Sequence, residues 1–242
     1  LFMDTPNKSW SFSHIRSAFN LTVLVASLGY FVDMYDLVLF GIVRIESLTA
    51  LGVSGDDLAT KGVFLLNMQM IGMLVGGIIW GILGDKNGRI YFLFGSIALY
   101  SIANIANAFV TDGPGYALCR FFAGVGLAGE LGAAITLVSE ILKKEARGYG
   151  TTIVASVGIM GSVAAGFVGD HFSWKWAYIF GGMLGLVLLV LRAKMLESGM
   201  FKSVQSNLAI KRGDFLSLFT NRSRFLKYLR CILIGLPMWF VV

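Results

Sequence analysis

The chain has 242 residues, 56% of them hydrophobic and 14% charged, with 30 Gly against 3 Pro and a formal net charge of +6. That balance argues against an ordinary soluble globular domain and describes a polytopic membrane protein. The basic residues are strung along short loops instead of gathered on one soluble face, which argues against nucleic acid as a partner.

In chain order, residues 1–20 read as a cytoplasmic segment, followed by a first apolar run at 21–43 that carries Asp33 and Asp36. No small-residue cleavage site follows a short apolar core there, so the run is a retained span and not a signal peptide. Further charge-poor runs lie at 62–84, 90–110, 115–142, 148–169 and 175–196. The runs at 62–84 and 90–110 are each about 20 residues long, which at roughly 1.5 Å per helical residue matches a hydrocarbon core of about 30 Å. Continuous apolar runs of this length exclude the alternating pattern of barrel strands, so the predicted fold is all-α. A six-helix bundle is expected over 21–196, a cytoplasmic linker with an amphipathic helix over 197–227, and the start of a seventh span over 228–242. The sequence begins without Met and stops inside an apolar run, so it is expected to be part of a longer protein. Cys119 and Cys231 both lie in apolar stretches, where a thiol behaves as a small hydrophobe and a disulfide framework is not expected.

Lys8, Arg16, Lys86, Arg89, Lys143, Lys144, Arg147, Arg192 and Lys194 fall on one side of this topology, together with the basic residues of 197–227. Arg44, Lys61 and Lys175 fall on the other. The positive-inside rule therefore predicts a cytoplasmic N terminus and a cytoplasmic turn at Gly81–Ile90, in a plasma membrane such as the bacterial inner membrane. The G-x-x-G-D sequence at Gly81–Asp85 recurs at Gly166–Asp170, facing the opposite side. Such a recurrence is what an inverted three-plus-three helix repeat leaves in a sequence.

Charged side chains in mid-span cost roughly 2.5 to 3.5 kcal/mol each on insertion scales, so they are normally paired or turned toward water. Asp33 and Asp36 sit three apart on the first helix, with Tyr30 on the same face. Arg120 and Glu130 sit ten apart on the fourth and are expected to project in similar directions at different depths. The four predict a polar cavity between these two helices, where an Asp whose contact with Arg120 changes can load and unload a proton. Gln69 joins this set as a candidate for binding substrate, with Tyr30 and Arg120. Asn67, Asn104, Asn107, Thr151, Thr152 and Ser156 are weaker, because such residues commonly make ordinary bonds between helices.

Gly72 with Gly76, Gly77 with Gly81, and Gly181 with Gly185 have the spacing that lets helices approach closely. Gly124, Gly126 and Gly129 match G-x-G-x-x-G but follow no strand, so no dinucleotide site is read there. No P-loop occurs, His14 and His171 are isolated, and no nucleophile–base grouping stands out. No cofactor, no metal and no enzymatic activity are expected.

The turn GILGDKNGRI, with Gly81, Asp85, Gly88 and Arg89, resembles the signature between helices 2 and 3 of the major facilitator superfamily. RFFAGVGLAGELG at Arg120–Gly132 resembles the helix 4 signature of its proton-coupled members, and LESGMF at Leu196–Phe201 is similar to the motif after helix 6, with Gly199 where Pro is usual. Asp33, Tyr35 and Asp36 are similar to the D-x-Y-D pattern of phosphate and proton symporters, whereas Glu130 is similar to metabolite and proton symporters. The resemblance implies the N-terminal six helices of a twelve-helix transporter, whose partner is a C-terminal half of the same protein. It also implies a proton-coupled symporter of a small polar or anionic metabolite working by alternating access. A phosphate or sugar porter, or a non-transporting membrane sensor of this fold, is the alternative. Asp85, Arg89, Glu140 and Arg147 would act with Gly81 and Gly88 as a cytoplasmic latch that holds the outward-facing state.

Overall fold

The computed structural model describes residues 21–87, 89–130, 142, 146–197 and 222–240, the side chains of 21–22, 84–93, 194–197, 224 and 234–240 excepted. Seven helices make up these residues: α1 (Leu21–Ala50), α2 (Asp57–Asn87), α3 (Arg89–Asn107), α4 (Gly113–Leu127), α5 (Arg147–His171), α6 (Trp174–Glu197) and α7 (Arg222–Phe240). The stretches Val23–Ala50, Asp57–Leu83, Arg147–His171 and Trp174–Ala193 are long and apolar enough to cross a membrane. Positions 1–20, 131–141 and 198–221, which hold the N-terminal segment, the rest of the fourth apolar run and most of the linker, lie outside the described residues.

Local chemistry sets the helix ends. α1 continues past residue 43 through Arg44 and Glu46 and stops only where Gly52 and Gly55 adopt φ of 81° and 63°. In that left-handed region glycine carries no Cβ penalty, and the Val53 N–H closes the turn on the Leu48 carbonyl at 3.0 Å. α4 starts on Asp112, whose carboxylate accepts the Gly115 N–H at 3.0 Å, with a proline in the first turn. α7 begins at Arg222, so Arg222, Arg224 and Lys227 lie within a helix that starts before the expected position 228.

Helix α1 packs against α5, α2 against α4, and α3 against both α4 and α6, while α6 also touches α1. Glycines permit the first two contacts. A Cβ on Gly72 would strike the Phe121 carbonyl oxygen, one on Gly76 would stand 2.5 Å from that of Val125, and one on Gly161 would strike that of Phe31. Gly124, part of the dinucleotide-like pattern, is held against the Gln69 carbonyl, so that pattern is a helix crossing. Gly77 and Gly81 differ from the expectation, since among the described residues a Cβ on either would meet nothing within 4 Å.

A buried aromatic cluster of Tyr35, Phe40, Tyr116, Trp174 and Tyr178 ties α1, α4 and α6 together. Its hydroxyls are satisfied internally, as buried polar groups require. The Tyr35 Oη donates to the Ala177 carbonyl at 2.9 Å, and the Tyr116 Oη meets the Ser47 Oγ at 3.0 Å and the Tyr178 Oη at 2.6 Å. Arg120 lies against two rings of this cluster, Phe40 and Tyr178.

Candidate functional site

Among the described residues, the charged residues of the bundle interior fall into two groups, one turn apart along α1. Asp36 is fully buried and accepts three side-chain hydrogen bonds: from Gln69 Nε2 on α2 at 2.8 Å, from Asn104 Nδ2 on α3 at 2.7 Å, and from Arg120 Nη2 on α4 at 2.8 Å. Arg120 Nη2 also donates to Gln69 Oε1 at 2.6 Å, and Asn107 donates to Asn104 Oδ1 at 3.3 Å. Four helices therefore converge on one carboxylate. The Arg120 guanidinium lies 4.8 Å from the Phe40 ring centre and 5.4 Å from that of Tyr178, distances at which a cation is attracted to an aromatic face. Among the described residues its Nε and Nη1 have no hydrogen-bond partner.

The second group contains Asp33, Glu130 and Arg192. Arg192 on α6 grips Glu130 in a two-pronged pair, Nη1 to Oε1 at 2.8 Å and Nη2 to Oε2 at 2.5 Å, and the Ser96 hydroxyl on α3 adds a bond to Oε1 at 3.2 Å. Asp33 is buried, its Oδ1 has no hydrogen-bond partner among the described residues, and it lies within electrostatic reach of Glu130, Arg192 and Asp36. Tyr30 is half-buried, and its ring fills the space left by Gly158 on α5, where it still feels the charge of Asp33.

The expected residues are thus partly united. Asp36, Gln69 and Arg120 form one network, but Arg120 and Glu130 do not share a partner, and Tyr30 leans toward α5. Arg192, expected among the surface basic residues, is buried and paired. Asn104, expected to be a minor packing residue, holds one oxygen of Asp36. The available signal for Arg192 was the set of three mid-span acidic side chains, Asp33, Asp36 and Glu130, against one mid-span cation, Arg120. Of the latch residues, Gly88, Glu140 and the side chains of Asp85 and Arg89 lie outside the described residues. Arg147 donates its Nε–H to the Leu142 carbonyl at 3.1 Å, and Gly81 stands clear of neighbours.

A bundle of long apolar helices with ion pairs buried between them is a polytopic membrane protein. The sequence pattern of the Major Facilitator Superfamily matches residues 26–242, and the chain belongs to that family, whose members are transporters and not enzymes. It is 31% identical over 185 residues to the niacin transporter NiaP of Acinetobacter baylyi, covering 74% of this chain and 41% of that protein. It is 32% identical over 142 residues to the 3-(3-hydroxy-phenyl)propionate transporter of Escherichia coli, covering 57% of this chain and 35% of that protein. Its fold is similar to that of the proton:xylose symporter XylE of E. coli, with a TM-score of 0.64 at 18% identity over 75% of this chain and 45% of XylE. The chain spans less than half the length of these relatives.

Proposed function

We propose that the complete protein is a proton-coupled symporter that moves a small carboxylate metabolite by alternating access. The observation that carries this reading is an uneven pairing of buried charge. Among the described residues of the bundle interior, Asp33, Asp36 and Glu130 face Arg120 and Arg192, and both guanidiniums make ion pairs without Asp33. One proton on Asp33 balances the count, and its loss leaves a carboxylate that the low-dielectric interior tolerates poorly. Asp36, with three donors on its two oxygens, is already balanced by Arg120.

In this reading Arg120 is the anion-binding group. A substrate carboxylate competes with Asp36 for the guanidinium and takes up the donors Nε and Nη1, while Gln69 and Tyr30 line the approach. The rings of Phe40 and Tyr178 beside Arg120 favour an aromatic carboxylate, and two relatives are transporters of niacin and of a hydroxyphenylpropionate. The other wall of the pocket comes from a C-terminal six-helix half. The N terminus and the Gly81–Ile90 turn face the cytoplasm of a bacterial cell, where Asp85, Arg89, Glu140 and Arg147 latch the outward-facing state.

Proteoliposomes containing the complete protein provide the test. Addition of nicotinate or 3-(3-hydroxyphenyl)propionate is expected to make the outer medium more alkaline as protons enter with the substrate. Substrate uptake without proton movement overturns coupling. Proton movement driven by xylose but by neither acid overturns the carboxylate assignment.

A further inference from the structure

We propose that Arg192 on α6 is a shared, movable counter-ion that shifts between Glu130 and Asp33 according to whether Asp33 holds the coupling proton. This rests on the proton-coupled reading above and adds to it a positioning residue outside the Asp36–Arg120 network. Arg192 stands five residues from the end of α6, where a long cationic side chain ordinarily reaches out to interfacial water. Here it is only 7% exposed and turns inward to Glu130. Glu130 stands three residues beyond the end of α4, and its pair with Arg192 of α6 crosses a gap bordered by Ser96 of α3 and Gly29 of α1.

Gly29 makes that gap. A Cβ there would stand 2.7 Å from Arg192 Nη2 and 2.8 Å from Glu130 Oε2, so any larger residue crowds both members of the pair. Gly29 and Asp33 are four apart on α1, hence neighbours on one helix face roughly 6 Å from each other. The guanidinium therefore needs only a short swing to pass from Glu130 to Asp33. Around Asp33, among the described residues, the charged and titratable groups are Glu130 just beyond α4, Arg192 from α6, Tyr100 from α3, and Asp36 and Tyr30 from α1 itself. α5 meets this part of α1 with Gly158 and Gly161. Arg192 is the cation in this set that is not already bound to Asp36.

The charge arithmetic then drives the swing. With a proton on Asp33, the group of Asp33, Glu130 and Arg192 is neutral and Arg192 closes on Glu130, the arrangement seen here. When Asp33 gives its proton to water on the other side of the membrane, the group becomes −1 and both carboxylates draw on one guanidinium. No other bond forms or breaks. Because Glu130 follows the turn that ends α4 and Arg192 lies on α6, the swing ties the protonation of α1 to the separation of the chain just beyond α4 from α6.

The test compares wild type with the Arg192→Gln/Glu130→Gln double variant, which removes both charges of the pair together. Nicotinate is the probe, in proteoliposomes of the complete protein, with two readouts: substrate exchange at equal pH and accumulation driven by a pH gradient. Accumulation is expected to fall about tenfold more than exchange. Equal losses in the two readouts, or accumulation at the wild-type level, overturn the proposal and leave the pair as a strut. Should the double variant fail to fold, Gly29→Ala crowds the pair while changing no charge and is expected to show the same imbalance; its absence overturns the proposal as well. Wild type that exchanges nicotinate but ignores the pH gradient instead defeats the proton-coupled reading itself.

Discussion

Asp36 and Asp33 stand one turn apart on α1 and meet opposite surroundings. Asp36 is held by Gln69, Asn104 and Arg120, so removing its cation strands a carboxylate among apolar helices. Breaking such a buried pair by deleting one partner costs about 3–5 kcal/mol. Arg120→Gln is therefore expected to lower the thermal unfolding temperature of the detergent-solubilised protein strongly, and adding Asp36→Asn should recover much of the loss. A double variant as unstable as the single would contradict the pairing. Asp33→Asn removes no hydrogen bond from Oδ1 and is expected to stay within about 1 kcal/mol of wild type in the same assay. The acidic residues and Arg120 were legible as charges inside apolar runs. Arg192 was not, because a cation near a helix end is by default a surface group. Asn104 and Ser96 were obscured because isolated polar residues in a span commonly make ordinary bonds between helices.

At the scale of helices, the bundle closes through backbone-to-backbone crossings at Gly72, Gly124 and Gly161. Gly161→Ala and Gly72→Ala each push a methyl group into a neighbouring carbonyl, an overpacking worth about 1–3 kcal/mol, and should lower the unfolding temperature. Gly77→Ala and Gly81→Ala have open space and should not, so equal effects at all four sites would refute the crossing assignment. Spacing alone made Gly72 and Gly77 look alike, since the two pairs have the same separation and differ only in which face meets a partner. Trp80 was likewise illegible. Its Nε1–H reaches the Val125 carbonyl at 2.6 Å, in the last turn of α4 where the helix leaves its carbonyls without partners. Trp80→Phe should cost about 1 kcal/mol, read as a modest drop in unfolding temperature. Helix existence followed from the apolar runs. Their ends did not, because the Gly52–Gly55 turn, and not the charge at Arg44, terminates α1. Under the inverted repeat that we propose, exchanging the two sets of three helices would turn the α1–α5 contact into α4–α2, the other glycine-lined crossing.

For the whole molecule, the two polar groups stack along α1, with the Asp36–Arg120 network on one level and the Asp33–Glu130–Arg192 group on the next. We propose that the first binds the anion and the second carries the proton, so the two ligands are coupled through one helix. The family was legible from the Gly81–Ile90 turn, whereas this division of labour was not, because it depends on which carboxylate each arginine reaches across helices far apart in sequence. The most direct test is nicotinate transport by the complete protein in proteoliposomes, wild type against Asp33→Asn, with exchange at equal pH and pH-driven accumulation measured side by side. The expected result is that Asp33→Asn still exchanges nicotinate but neither accumulates it nor moves protons with it. Accumulation and proton entry at the wild-type level in Asp33→Asn would contradict the account.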